Sequence, residues 1–110
     1  MNTANSTAHG EYKVPGGKLV VADLSIVDGR MTSVQVSGDF FLEPASALDA
    51  IDAALEGLPV DTGEAELEAA VAAALDPETQ MFGITPAGVA VAVRRALDAA
   101  GQGHDAGGAV

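Results

Sequence analysis

Residues 18–40 read KLVVADLSIVDGRMTSVQVSGDF. The first half of this stretch is rich in valine, leucine and isoleucine, and from Thr32 to Phe40 apolar and polar residues alternate. Both patterns are typical of strands, and alternation indicates a strand with one buried and one solvated face. Asp28-Gly29 lies between the two runs and is a turn signal. The stretch therefore predicts an antiparallel hairpin.

The register of this hairpin follows from keeping apolar residues on one face. A two-residue Asp28-Gly29 loop would pair apolar with polar residues, whereas a three-residue loop over 27–29 keeps the apolar face continuous. The three-residue loop also places Gly29 at a left-handed position. The expected pairs are Leu24 with Thr32, Ala22 with Val34, Val20 with Val36, and Lys18 with Gly38.

Two helices are predicted to follow the hairpin. The first has a stripe at helical spacing, starts with Pro44 in its first turn and ends at Gly57 and Pro59. The second is capped by Asp61 or Thr62 and ends at Asp76-Pro77. The inward-facing residues are Leu48, Ile51, Leu55 and Leu58 in the first helix, and Leu67, Val71 and Leu75 in the second. TQMFGI, residues 79–84, is an extended connector.

The segment GVAVAVRRALDAA, residues 88–100, fits two structures. Its valines alternate as in a strand, but Val89, Val93 and Leu97 also share one helix face. Thr85-Pro86 as cap and first residue, the alanine content and Gly101 favour a helix. Strands followed by helices indicate an α+β domain: a small antiparallel sheet built on the N-terminal hairpin, with about three helices packed on one face.

The bulk composition limits the classes of function. The chain has 110 residues, enough for one small domain, and a net charge of −11, which disfavours nucleic acid and anionic membrane surfaces. There is no cysteine, so disulfides, thiolate ligands and cysteine nucleophiles are excluded. Without a signal peptide or a long apolar run, the expected location is the cytoplasm. We expect a disordered tail over 1–8, a domain over 9–100 and a flexible tail over 101–110.

VPGGK, residues 14–18, raises the question of a phosphate-binding loop. That loop requires G-x-x-x-x-G-K-[ST] opening a helix, whereas here Lys18 is followed by Leu19 and a strand. The sequence therefore favours a turn. In the expected register, however, this bend meets GDFF at the open end of the hairpin. Small residues there would let a ligand or another backbone approach closely, and the alternative is a plain surface pair between Lys18 and Asp39.

Other candidates for chemistry are weaker. His9 and His104 lie near the chain ends without metal-ligand spacing, and no serine, histidine and acid form a triad pattern. Most carboxylates fall on the outer faces of helices. Arg94 and Arg95 lie near the end of a helix, where positive charge is favourable. We predict no catalytic residue and no metal site in this chain.

The stretch YKVPGGKLVVADLSIVDGRMTSVQVSGDFFLEP, residues 12–44, resembles the accessory, or C-terminal, domain of lipoate–protein ligases. PGGK, the Asp-Gly turn, GDFF, the Glu-Pro helix entry and LEGLP occur in the family's order, and the resemblance covers roughly residues 9–98. It implies a fold similar to iron–sulfur scaffold and sulfur-acceptor proteins. Since the chain lacks cysteine, the chemistry of those proteins cannot occur here.

The resemblance also implies a function. In this family a catalytic domain uses ATP and Mg²⁺ to activate lipoate as lipoyl-adenylate and then passes the lipoyl group to a lysine of a carrier protein. The small domain covers that site, and in some organisms it is a separate chain. This chain would then be the accessory subunit of a heterodimer, binding no cofactor alone and not catalytic alone. The alternative is an acidic protein-interaction domain that has lost the ligase role.

The residues expected to close over the partner's nucleotide site belong to the two bends at the open end of the hairpin. They are Lys13, Gly16, Gly17, Lys18, Gly38 and Asp39.

Overall fold

The structure is a computed structural model that describes the backbone of residues 6–109 and the side chains of residues 6–100. It contains five strands and three helices within these residues. They are, in chain order, β1 (Ser6–Lys13), β2 (Leu19–Val27), β3 (Arg30–Gly38), β4 (Phe41–Glu43), α1 (Ser46–Leu55), α2 (Glu64–Ala74), β5 (Gln80–Phe82) and α3 (Pro86–Ala109).

The expected α+β class is confirmed. β1, β2 and β3 form an antiparallel sheet in that order, and β4 pairs with β5 in a separate two-stranded ribbon. The three-stranded sheet buries one face, which includes Val20, Ala22 and Val36; α1 and α3 pack on that face, and α2 packs against these two helices. The opposite face carries polar side chains on β1 and a mixture of polar and half-buried apolar side chains on β2. The connector over 79–84 contributes β5 to the ribbon.

The boundaries of the expected tails differ from the sequence analysis. Residues 6–8 belong to β1, and the backbone of α3 is helical to Ala109. Residues 1–5 and 110 lie outside the described residues. Within residues 6–109, no helix combines the length and the apolar character needed to cross a membrane.

The expected three-residue loop between β2 and β3 is wrong. Val27 pairs with Arg30 across a two-residue turn in which Asp28 and Gly29 have φ of 53° and 76°. Positive φ at both central residues is the type I′ turn, whose twist suits a hairpin and whose common sequence is Asp-Gly.

A β-bulge in β3, and not a longer loop, keeps the apolar residues of β2 and β3 on the same face of the sheet. The register shifts by one residue between Asp23 and Ser25, where Ser33 on β3 has φ of 51°. The extra residue allows Met31, Val34 and Val36 to be buried on one side although Met31 and Val34 are three apart. Val20 therefore pairs with Gly38, and the expected pairing of Lys18 with Gly38 is wrong.

Two carboxylates of α1 hold the outer edge of β3 at this bulge. Glu56 accepts hydrogen bonds from the N–H groups of Ser33 and Val34, at 3.2 and 2.6 Å, and Asp52 accepts from Val36 N–H at 3.0 Å. Burial raises the pKa of the Asp52 carboxyl, and the Val36 hydrogen bond acts in the opposite direction. Sequence analysis did not predict contacts of the α1 carboxylates with β3.

The helices form where the sequence predicts them, with different details at their starts. α1 begins after Pro44, with Ala45 as its N-cap, and buries Ile51 and Leu55. Gly63, rather than Asp61 or Thr62, is the N-cap of α2, and the Glu66 carboxylate accepts its N–H at 3.2 Å.

Residues 88–100 are helical, as the start signals indicated. Thr85 Oγ1 accepts the N–H of Gly88 at 2.9 Å, which is an N-cap bond. Val89, Val93, Ala96 and Leu97 are buried. The hydroxyl cap and the buried stripe together favour the helix over the alternating strand.

α3 crosses the sheet closest at Gly10 in β1. A Cβ atom added at Gly10 would clash with the carbonyl oxygen of Ala92 and with the backbone of Ala96. We expect Gly10→Ala to lower the free energy of unfolding by about 1–3 kcal/mol, because α3 must move away from the sheet. Urea unfolding measures this change.

The matched control is Ser37→Ala, at an exposed position of β3. It should leave the free energy of unfolding within about 0.5 kcal/mol of the parent. Equal stability of the two variants would contradict the close packing of α3 on Gly10.

Candidate functional site

The bend between β1 and β2 is a turn, as the sequence favoured. Gly17 donates its N–H to the Val14 carbonyl at 2.8 Å, and Val14 donates to the Lys18 carbonyl at 3.1 Å. These bonds close the bend, and β2 follows directly. The backbone leads into a strand and not into a helix, so it lacks the helix N-terminus of a phosphate loop.

The second bend lies beside the first. Asp39 donates its N–H to the Leu19 carbonyl at 3.3 Å, and Gly38 pairs with Val20. The VPGGK bend and the Gly38–Phe40 bend are thus neighbours at one end of the sheet, although their register differs from the expected one. We call these two bends, together with Gly83, the hairpin rim.

Gly83 is the part of the hairpin rim that sequence analysis missed. Its carbonyl accepts the N–H of Lys18 at 2.9 Å. Gly83 has φ of +86°, and a side chain there would clash with Cγ of Lys18 and lie 3.5 Å from Cβ of Phe40. Glycine is required for both reasons. The stem of Lys18 is thereby held against the backbone between the two bends.

The six expected site residues are brought to the same end of the sheet. Lys13 is the last residue of β1 and pairs with Leu19. Lys13, Lys18 and Asp39 are exposed. Among residues 6–100, Lys18 and Asp39 form no ion pair. The plain surface pair that the sequence also allowed is therefore absent.

A groove of about 210 Å³ lies between the VPGGK bend and the segment that leads into α3. Pockets for small ligands usually have volumes of about 300–1,000 Å³, so this groove is too small to enclose a nucleotide by itself. It is lined by Val14, Pro15, Gly16, Gly17, Met81, Gly83, Ile84 and Thr85.

The two adjacent phenylalanines of GDFF have different environments. Phe40 is half-buried and packs against the core. Phe41 is 57% exposed and stacks on Phe82 of β5, with ring centroids 4.6 Å apart. The sequence left open which of the two is exposed, and the pairing of β4 with β5 decides it.

Arg94 and Arg95, the adjacent arginines of α3, stabilise the contacts of this helix. Arg94 donates to the carbonyls of Val60 and Thr62, at 2.9 and 3.1 Å, and pairs with Asp98 at 2.6 Å. Arg95 donates to the Glu11 carbonyl at 3.1 Å and lies over the ring of Tyr12 at 4.9 Å. Both guanidinium groups thus bind groups of the chain itself.

His9 has partners that its position in the sequence did not suggest. It lies in β1, where Nδ1 bonds to Asp23 at 2.6 Å and Nε2 bonds to Glu11 at 2.8 Å. These two carboxylates raise the pKa of His9, with Asp23 making the larger contribution. No group of three potential metal ligands is found in the described part of the chain. The side chain of His104 lies outside the described residues.

Comparison with known proteins reveals a shared fold. The chain matches no protein-family profile and no curated protein sequence. A similar solved structure comes from a study of an archaeal lipoylation system, a bi-partite lipoate protein ligase and its E2 lipoyl domain from Thermoplasma acidophilum. The alignment covers 82% of this chain and 97% of that chain, with a TM-score of 0.67 and 18% identity. At this identity the likeness shows the fold.

The ion pairs of His9 predict a pH dependence of stability. Because the folded-state pKa is raised above 6.5, the stabilisation is fully present below that value and is lost as pH rises through the folded-state pKa. We expect His9→Gln to be less stable than the parent at about pH 5 and to approach it at about pH 9, as measured by urea unfolding. A difference in stability that stays constant with pH would contradict this assignment.

Proposed function

We propose that this chain is the accessory subunit of a two-part lipoate–protein ligase. In this proposal a separate catalytic chain activates lipoate with ATP, and this chain assists that step. The proposal is carried by the hairpin rim, where the PGGK and GDFF motifs lie side by side. The fold shared with a chain from an archaeal lipoylation system supports it.

The structure gives a reason for assigning the substrates to a partner. The groove at the hairpin rim is about 210 Å³, and a chain of net charge −11 repels free ATP. A catalytic chain that supplies most of the pocket overcomes both limits. ATP with Mg²⁺ and lipoate are then substrates of the heterodimer, and the lipoyl carrier protein meets the catalytic chain.

The chemistry has two steps. A lipoate carboxylate oxygen attacks the α-phosphorus of ATP, pyrophosphate leaves, and lipoyl-adenylate forms. The ε-amine of a carrier lysine then attacks the acyl carbon, and AMP leaves. Negative charge develops on the leaving pyrophosphate in the first step and on the AMP phosphate in the second, so a cation placed beside the pyrophosphate assists adenylation more than transfer.

Lys18 fits the role of that cation. Its N–H is bonded to the Gly83 carbonyl, and its stem packs on Gly83, so the ammonium group projects from a fixed bend. Lys13 adds a second positive charge at the same end of the sheet. The glycines of the two bends allow close approach of the partner's backbone.

The second candidate is an acidic protein-interaction domain without a ligase role. The exposed Phe41–Phe82 stack favours this candidate, because it offers a binding surface. The two candidates differ in their genome context: a neighbouring gene for a catalytic domain lacking its own small domain favours the ligase subunit. A neighbouring gene for a full-length ligase favours the interaction domain.

Reconstitution tests the ligase proposal. This chain, the catalytic chain of the same genome, ATP, Mg²⁺, lipoate and carrier protein are combined, and lipoylated carrier is measured by mass spectrometry. We expect lipoylation to require both chains. Full activity of the catalytic chain alone, or no activity of the mixture with a catalytic chain shown to transfer from pre-made lipoyl-adenylate, would refute the proposal.

Lys18→Ala tests the role of the hairpin rim. We expect lipoyl-adenylate formation to fall by about tenfold, equivalent to about 1.4 kcal/mol of barrier, because the charge near the phosphates is lost. Transfer from pre-made lipoyl-adenylate should be unchanged. Lys18→Arg is the matched control and should retain most of the activity. Equal loss in both steps would count against electrostatic assistance of adenylation.

A further inference from the structure

Three large apolar side chains are exposed within the described part of the chain: Phe41 and Phe82, which lie directly opposite each other, and Met81, which pairs with Leu42 on the other face of the ribbon. Phe41 is 57% exposed, Phe82 40% and Met81 38%. The rings of Phe41 and Phe82 are stacked with an interplanar angle of 18°. We call Phe41 and Phe82 the ribbon patch, because they belong to the paired strands β4 and β5.

The strand that carries Phe41 is anchored in the core. Leu42 lies between Phe41 and Glu43 in β4, points to the other side of the ribbon and is buried in the core. The register pairs Phe41 directly with Phe82, which brings the two rings together. A stacked, anchored aromatic pair has little conformational entropy to lose on binding, which is typical of residues that dominate interface energetics.

The ribbon patch is continuous with the hairpin rim. Gly83 of the hairpin rim directly follows Phe82 in the chain. Phe40, next to Phe41, lies against the position of Gly83, which in turn contacts Lys18. A partner that covers the hairpin rim therefore reaches the patch without crossing another element.

The charged residues around the ribbon patch restrict the kind of protein surface that can bind there. Glu43 pairs with Gln80 one step along the ribbon from the rings, and Asp39 lies two residues before Phe41. A second copy of this chain would bring another net charge of −11 to the same face, which opposes self-association. A complementary surface is an apolar socket bordered by lysine or arginine.

We propose that the ribbon patch is the anchor by which this chain docks on the catalytic chain, in an apolar socket with a basic border. This inference rests on the proposed function and adds the surface that holds the two chains together. In this arrangement binding strength comes from the rings, and Lys18 of the hairpin rim remains directed at the nucleotide site. Binding and assistance of adenylation are thus separate properties of adjacent residues.

Isothermal titration of this chain into the catalytic chain of the same genome tests the docking surface. We expect Phe41→Ala/Phe82→Ala to raise the Kd by about 100-fold or more, as for two central aromatic anchors. Val21→Ala is the matched control: it truncates a half-buried valine of β2 outside the patch and should change the Kd by less than about threefold. Far-ultraviolet circular dichroism verifies that both variants are folded.

A charge-reversal variant provides a second test of the docking surface, because it leaves the apolar side chains unchanged. Glu43→Lys should slow association by about tenfold at low salt and have little effect at about 0.5 M salt, because it repels the basic border. If Glu43→Lys leaves the association rate at low salt unchanged, the proposed basic border on the catalytic chain is wrong.

The outcomes separate this inference from the proposed function. If the parent binds and the double alanine variant binds equally well, the docking surface is wrong and the ligase role stands. If the parent does not bind the catalytic chain at all, the proposed function fails and the inference fails with it. A dimer of this chain in sedimentation equilibrium that the double variant abolishes would assign the patch to self-association instead.

Discussion

The contact of the α1 carboxylates with the bulged edge of β3 determines the geometry of the whole domain. Asp52 and Glu56 accept N–H groups of β3, the edge strand of the sheet, at and next to the bulge. This contact fixes α1 against the sheet and fixes the register of β3 beyond the bulge. Because β3 then ends beside the start of β2, the Gly38–Phe40 bend lies next to the VPGGK bend. The hairpin rim is thus formed by the pairing of β2 with β3.

The sequence predicted the class of fold because the relevant signals are local. Alternation in β3, the stripe of Ile51 and Leu55, and the Thr85-Pro86 helix start each depend on a few neighbouring residues. The loop between β2 and β3 was predicted wrongly because matching of apolar faces has two solutions, a longer loop or a bulge. The sequence alone supplied no reason to place a bulge at Ser33, since the stabilising carboxylates come from a helix that follows.

The site was predicted in part for a similar reason. The two bends were recognised because each contains a short motif, and the hairpin brings them together. Gly83 was missed because its contact with Lys18 joins segments that are distant in sequence. The pairing of His9 with Asp23 likewise depends on the register of β1, which no local signal determines. Contacts between distant segments were thus the main limit of the sequence analysis.

The edge of β3 also has a consequence for how this protein behaves at high concentration. Free amide groups on an outer strand can recruit a strand from a neighbouring molecule and seed fibrillar aggregates. In β3 the amides near the bulge are occupied by Asp52 and Glu56, and Ser33 bends the backbone out of line. An incoming strand would have to displace these carboxylates from the backbone of their own molecule. The contact that joins α1 to the sheet therefore also protects the protein from templated polymerisation at high concentration.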